Sequence, residues 1–176
     1  SIPSTVTEDG LAFSARYYEA IVSGGIWDFG GNANLRVGSL HHDHAITFTG
    51  TKVRNVNNVT IGNNWRNCKL TLSDGAELAA GSMRIASGSN SGSCTFEILG
   101  GSTATIGGNL IFDDGTSVGS GNNQLRIEGS KSSLSAQNAS VIDQNNGKRH
   151  LVFGGQIHLF RCDGDLFLPR EDGESP

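Results

Sequence analysis

Four segments of the chain share one layout: two apolar residues flanking a third, a glycine-bearing turn, then a second apolar pair. The opening pairs are Ile46-Thr47-Phe48, Leu70-Thr71-Leu72, Phe96-Glu97-Ile98 and Leu125-Arg126-Ile127. The second pairs are Val59-Thr60-Ile61, Met83-Arg84-Ile85, Leu110-Ile111-Phe112 and Ala139-Ser140-Val141. The offset within a repeat is 13 (Ile46 to Val59) or 14 (Phe96 to Leu110). The offsets between successive repeats are 24, 26 and 29, from Ile46 to Leu70 to Phe96 to Leu125. Leu35-Arg36-Val37 extends the pattern upstream, with Val22 heading that repeat, and Leu151-Val152-Phe153 extends it downstream. Roughly five coils are visible, some of them partial.

Each pair reads inward-outward-inward, the alternation of a strand with one buried face. Strands this short fill neither a sandwich nor a barrel, but stacked at a repeat they share one continuous core. A period that drifts from 24 to 29 suits a parallel β-helix, whose turns lengthen without disturbing the stacked strands. Leucine-rich repeats require a leucine and asparagine consensus that is absent here, and propeller blades need about 40 residues. The expected fold is therefore all-β, a single-stranded parallel β-helix.

Composition agrees with a solenoid built on turns. Glycine, serine and asparagine supply 25, 20 and 15 of the 176 residues, while proline supplies 3. Collagen is excluded because glycine lacks a strict period of three. Simple disorder is excluded because 36% of residues are hydrophobic and recur in patterned pairs. A net charge of −4 leaves no basic footprint for nucleic acid. No apolar run approaches the roughly 20 residues that span a bilayer as a helix.

The residues just before the second apolar pairs are Asn34, Asn58, Ser82, Asn109 and Asn138. With 15 asparagines in 176 residues, four in five aligned positions is improbable by chance. A side-chain ladder is expected where each strand begins, because an amide can bond the amide one coil away. Asn58-Val59-Thr60 and Asn138-Ala139-Ser140 also match glycosylation sequons, but their asparagines belong to this ladder and read as structural.

Runs such as Leu78-Ala79-Ala80-Gly81-Ser82-Met83-Arg84-Ile85 and Gly100-Gly101-Ser102-Thr103-Ala104-Thr105-Ile106-Gly107-Gly108-Asn109-Leu110-Ile111-Phe112 resemble right-handed parallel β-helix repeats. The likeness is to bacterial autotransporter passengers and related surface adhesins, within the pectin-lyase-like superfamily, and covers about residues 22–160. It implies right-handed coiling, export to the cell surface or beyond, and adhesion or glycan contact. The wider superfamily also holds polysaccharide lyases and hydrolases, and fold alone does not choose among them.

The expected organisation is an N-terminal cap segment at 1–21, the β-helix at 22–168 and a polar tail at 169–176. The cap is expected because a solenoid exposes the edges of its last coil, and residues 10–22 fit a short helix or a strand. The chain opens Ser1-Ile2-Pro3 without Met, which is the expectation for a processed or excised fragment.

Cys68 and Cys94 both lie two positions before an opening apolar residue, on adjacent coils. Stacked strands about 4.8 Å apart lie within the Cα separation a disulfide tolerates. A bridge in an oxidising compartment and two reduced, stacked core thiols are both compatible with the sequence. Cys162 has no aligned partner.

His41-His42-Asp43-His44 is the densest group of metal-capable side chains. On extended chain His42 and His44 could converge while Asp43 points away. No further ligands stand at metal-binding spacing, so a solvated loop is the plainer reading and no metal or other cofactor is expected. Asp113-Asp114-Gly115 and Asp163-Gly164-Asp165 read as turns rather than calcium loops.

Glu97 and Arg126 fall at the same outward coil position and could pair across the stack. The outward run Thr47, Thr71, Glu97, Arg126 breaks the threonine rank of an ice-binding face. Trp65 lies in the polar turn Asn63-Asn64-Trp65-Arg66-Asn67, the better candidate for stacking on a sugar; Trp27 reads as packing. Trp65, Asn63, Asn64 and Arg66 are therefore the candidate ligand-binding residues. No carboxylate cluster recurs on one face, so no catalytic residue is assigned.

The expected function is a non-catalytic structural or interaction module of an exported bacterial surface protein: an adhesin or stalk that contacts polysaccharide, host glycan or a host-surface protein. The alternatives are the β-helix of a polysaccharide lyase or glycoside hydrolase, and a carbohydrate-binding module.

Overall fold

The computed structural model describes residues 5–7, 10–12, 19–39, 41–88, 91–113, 123–142, 149–159 and 162–163, with side chains at 19–39, 41–88, 91–112 and 123–139. These residues form an all-β parallel solenoid of about four turns, with no helix among them. The partial coils at either end make up the larger number visible in the sequence.

In chain order the strands are β1 (Thr5–Thr7), β2 (Gly10–Ala12), β3 (Glu19–Ser23), β4 (Ile26–Asp28), β5 (Asn34–Val37), β6 (Ala45–Thr49) and β7 (Lys52–Asn63). They continue as β8 (Lys69–Ser73), β9 (Glu77–Ser87), β10 (Thr95–Ile98), β11 (Thr103–Asp113), β12 (Asn123–Ile142), β13 (Arg149–Leu159) and β14 (Cys162–Asp163). Among the described residues all pairings are parallel except that of β1 with β2. Between 10 and 22 the described residues are strand, in β2 and β3. The tail 169–176 and the second aspartate turn, beyond Asp163, lie outside the described residues.

The coil has three faces. The first stacks β3, β6, β8, β10 and the starts of β12 and β13. The third stacks β2, β5, the second halves of β7, β9 and β11, the end of β12, and β14. On both, the register is the one the repeats imply: Ile46 opposes Leu70, Leu70 opposes Phe96, and Phe96 opposes Leu125. Leu35, Val59, Met83, Leu110 and Ala139 form the matching column on the third face.

The second face was not anticipated. It stacks β4, the first halves of β7, β9 and β11, the middle of β12 and the end of β13. Its inward residues include Val53, Leu78, Ala104 and Leu134, all buried. Alanine replaces larger residues at Ala80, Ala104 and Ala136, which weakens the alternation. Register shifts inside this face, between Val53 and Val56, and where it meets the third, between Ile106 and Asn109, break the offset that a periodicity search relies on.

The inward columns merge into one core. Phe48, Phe96, Leu70, Leu72, Ile61 and Ile85 are among its fully buried side chains. Trp27 packs edge-on to Phe48 at 5.8 Å between centroids. Stacking in register also brings like beside like outside the core. Asn58 donates its backbone N–H and its Nδ2 to Asn34 Oδ1, each at 3.1 Å. Ser82 donates its hydroxyl to Asn58 Oδ1, and Asn138 donates Nδ2 to Asn109 Oδ1 at 3.1 Å. These bonds join β5 to β7, β7 to β9 and β11 to β12 at the start of their third-face segments; between β9 and β11 the register shifts just before Leu110. A second inter-coil group holds Asp28, whose carboxylate accepts from Asn55, Gly30 N and Arg54, each at 2.9 Å. Those bonds, Asn55 first, hold its pKa below the ordinary 3.8.

Candidate functional site

Between the third face and the next first-face strand the chain makes its largest excursions. Residues 38–44 and 62–68 are two such loops, one coil apart, at a sequence offset of 24. Backbone bonds stack them: Asn63 N donates to Gly38 O at 3.1 Å and Asp43 N to Arg66 O at 3.0 Å. The next coil continues the stack through Asn67 N to Gly92 O at 3.0 Å and the parallel bridge of Arg66 with Gly92. The path requires left-handed backbone at Asp43, Asn64 and Asn67, with φ of 61°, 63° and 55°. Asn and Asp adopt that geometry more readily than other non-glycine residues, which is why the loops are rich in them.

The stacking sets His41 one coil from Trp65. Their ring centroids lie 5.8 Å apart, and His42 meets the same indole at 4.8 Å, nearly perpendicular. Trp65 is half-buried and packs against the hydrophobic core, while His42, Asn64 and Arg66 are exposed and Asn63 is half-buried. The tryptophan is thus a ring wedged between two imidazoles and the core, less open than a tryptophan in a free polar turn. His41 carried no role in the sequence reading, yet its offset of 24 from Trp65 matches the coil period there and would have revealed the contact.

His42, Asp43 and His44 do not converge. His42 is exposed, and its Nδ1 accepts from Arg66 N at 2.9 Å. Asp43 Oδ1 accepts from Asn67 Nδ2 at 2.8 Å. His44 is fully buried, on the inner side of the loop. The alternation expected of extended chain fails because Asp43 turns left-handed. Among the described residues no group of three or more His, Cys, Asp or Glu side chains is placed to hold a metal ion. The aspartate turn at Asp113 has only its strand end described.

Beneath the loop lie Cys68 and Cys94, buried and unbridged. Lys69 N bonds His44 O at 2.8 Å and Thr95 N bonds Cys68 O at 2.9 Å, which puts His44, Cys68 and Cys94 in one inter-coil column. The Cys68 Sγ can donate to Arg66 O at 3.3 Å, and the Cys94 Sγ to Trp65 O at 3.5 Å or Gly92 O at 3.4 Å. A hydrogen bond with the Cys94 thiol, then burial, pushes the Cys68 thiol well above the ordinary range. The pair fits because two neighbours lack side chains. A Cβ on Gly38 would sit 2.0 Å from Cys68 Sγ, and one on Gly62 would sit 2.1 Å from Cys94 Sγ.

The first face carries a separate charged group. Glu97 opposes Arg126 in the ladder and lies 3.5 Å from both its Nη1 and Lys69 Nζ. Thr71 donates to Glu97 at 3.0 Å. Arg126 in turn grips Glu128 through Nε at 2.7 Å and Nη2 at 2.8 Å. The Glu97 side chain is only 12% exposed, so its oxygens are occupied by protein donors. This is an inter-coil clamp of paired charges.

No family model, curated protein or solved structure matches the chain.

Proposed function

We propose that this chain is a non-catalytic interaction module of an exported bacterial surface protein, and that its glycan-contacting patch is the Trp65 loop. In this reading the solenoid is a right-handed β-helix of the autotransporter-passenger kind and acts as a rigid stalk or adhesin segment. The observation that carries it is the Trp65 indole fixed by His41 and His42 beside exposed Asn64 and Arg66. A ring held in one orientation offers an apolar surface to sugar C–H groups at little entropic cost. Amides supply both donors and acceptors, the pairing that hydroxyls require. The guanidinium of Arg66 adds affinity for carboxylated sugars. The inter-coil ladders support the stalk part of the reading, because each coil is bonded to its neighbours outside the core as well as within it.

The test is retention on a panel of neutral and uronic polysaccharides, with and without calcium, scored for cleavage in the same samples. Retention without cleavage is expected for at least one polysaccharide. Trp65→Ala should weaken it about tenfold or more, equivalent to about 1.4 kcal/mol, with an unchanged far-UV circular dichroism spectrum. Equal retention by wild type and Trp65→Ala would sink the proposed patch. Cleavage products would replace this reading with that of a polysaccharide lyase or hydrolase.

A further inference from the structure

The two thiols under the Trp65 loop contact that loop and each other. Each Sγ is aimed at a backbone carbonyl of the loop: Cys68 at Arg66 O, and Cys94 at Trp65 O or Gly92 O. Each also occupies the notch left by a glycine one coil earlier, Cys68 at Gly38 and Cys94 at Gly62. The two residues stand opposite one another on adjacent parallel coils. That spacing is about 4.8 Å, within the Cα separation of about 4.4–6.8 Å that a disulfide accepts. Strand stacking alone has therefore brought the backbones to bridging distance, while each Sγ also faces a backbone carbonyl and fills a glycine notch.

We propose that Cys68 and Cys94 are a redox-sensitive latch: oxidation joins them in an inter-coil disulfide and releases the Trp65 loop from the thiols that hold it. Forming the bond requires at least one Sγ to leave its glycine notch. It also removes both S–H donors from beneath the loop: Arg66 O keeps its bond from Asp43 N at 3.0 Å, while Trp65 O loses the Cys94 thiol that donates to it. In the reduced state the loop backbone is seated on the thiols; in the bridged state the coils are stapled and the backbone at Trp65 loses its thiol donor. This holds whatever the loop binds.

A low-molecular-weight disulfide supplies the oxidising equivalents. One cysteine thiolate attacks it, forming a mixed disulfide and expelling one small thiolate. The second cysteine then attacks the protein-side sulfur and expels the other. One S–S bond breaks and one forms, and the two protons lost by the cysteines end on the two small thiols. Both cysteines are fully buried, so exchange proceeds through local opening of the loop and is slow beside that of an exposed thiol.

The test treats the intact chain with oxidised glutathione, blocks free thiols and digests with trypsin without reduction. Trypsin places Cys68 on peptide 67–69 and Cys94 on peptide 85–126, apart from Cys162 on 162–170. The expected product is 67–69 joined to 85–126, reversed by dithiothreitol. In a Trp27→Phe variant, where Trp65 is the remaining tryptophan, oxidation should shift emission to longer wavelength, and reduction should restore it. Should that variant misfold, acrylamide quenching of wild type serves instead, with quenching expected to rise on oxidation. Cys68→Ser and Cys94→Ser should each abolish the response. The proposal is overturned if the joined peptide is absent while a denatured control oxidises, if Cys162 is the partner found, or if the bridge forms with no change at Trp65.

Discussion

Gly38 shows how a residue without a side chain decides what its neighbour can be. Its φ is 74°, and the space a Cβ would take is filled by Cys68 Sγ, 2.0 Å away. Gly24 has a similar φ of 66° with nothing near its Cβ position, so it isolates the backbone part of the cost. Gly24→Ala should lose about 1–2 kcal/mol, the left-handed penalty of an L-residue. Gly38→Ala should lose about 2–4 kcal/mol, because overpacking adds to that penalty. In a Cys68→Ala background the cost of Gly38→Ala should fall back toward the Gly24 value. Urea denaturation of the four-member cycle measures this coupling; additivity within about 0.5 kcal/mol would mean that the loop simply moves aside. The cysteines were legible as an aligned pair, since alignment needs only the repeat. Their glycine notches were not, because a notch depends on which way each Sγ turns.

At the scale of the element, the strands hold register through their edges as well as their cores. The asparagine rank illustrates this: Asn58 takes two bonds from its own N–H and amide to Asn34 and accepts a third from Ser82. It is half-buried, whereas Asn109 is exposed and receives one amide bond from Asn138. Asn58→Ala should therefore destabilise by about 1–2 kcal/mol, and Asn109→Ala by less, since solvent can replace its lost bond. Midpoints of chemical denaturation at constant m distinguish the two; equal losses would mean that burial does not set the strength of the rank. The rank was readable in the sequence because every member precedes an apolar pair. The second face was not, because its small inward residues and its register shifts leave no strong period of two.

For the whole molecule, what matters is where the coil absorbs extra length. Ile61 opposes Ile85, an offset of 24, while Lys69 opposes Thr95, an offset of 26, so two residues enter between the third face and the first. Between first and second faces the offset changes by one, from Thr49 and Ser73 to Lys52 and Glu77. The two residues enter between Ser87, which opposes Asn63, and Gly92, which bridges Arg66, so a four-residue Gly/Ser insertion after Ser89 should lower the thermal midpoint only slightly. The same insertion between Gly50 and Thr51 should lower it more, because Thr51 is buried and donates its hydroxyl to Val22 O at 3.0 Å. Loop-closure entropy is nearly the same in both, so the difference reports packing rather than chain length. Equal drops would show that the two corners carry equal constraint.

The sequence by itself determined the coil. Apolar pairs at a period of two recur at offsets of 24, 26 and 29. They bury a common face only when stacked in parallel, and a slip of one residue would turn that face to water. Register, the core columns of two faces and the asparagine rank all follow from that constraint. Tertiary structure decided the corners. Left-handed turns at Asp43, Asn64 and Asn67 sent His42 outward and His44 inward, and only the stacked loops put His41 against Trp65 and the two thiols beneath it. Hydrophobic alternation specifies which side of a strand faces the core. It carries no information about how a loop, free of that alternation, lies on the loop of the next coil.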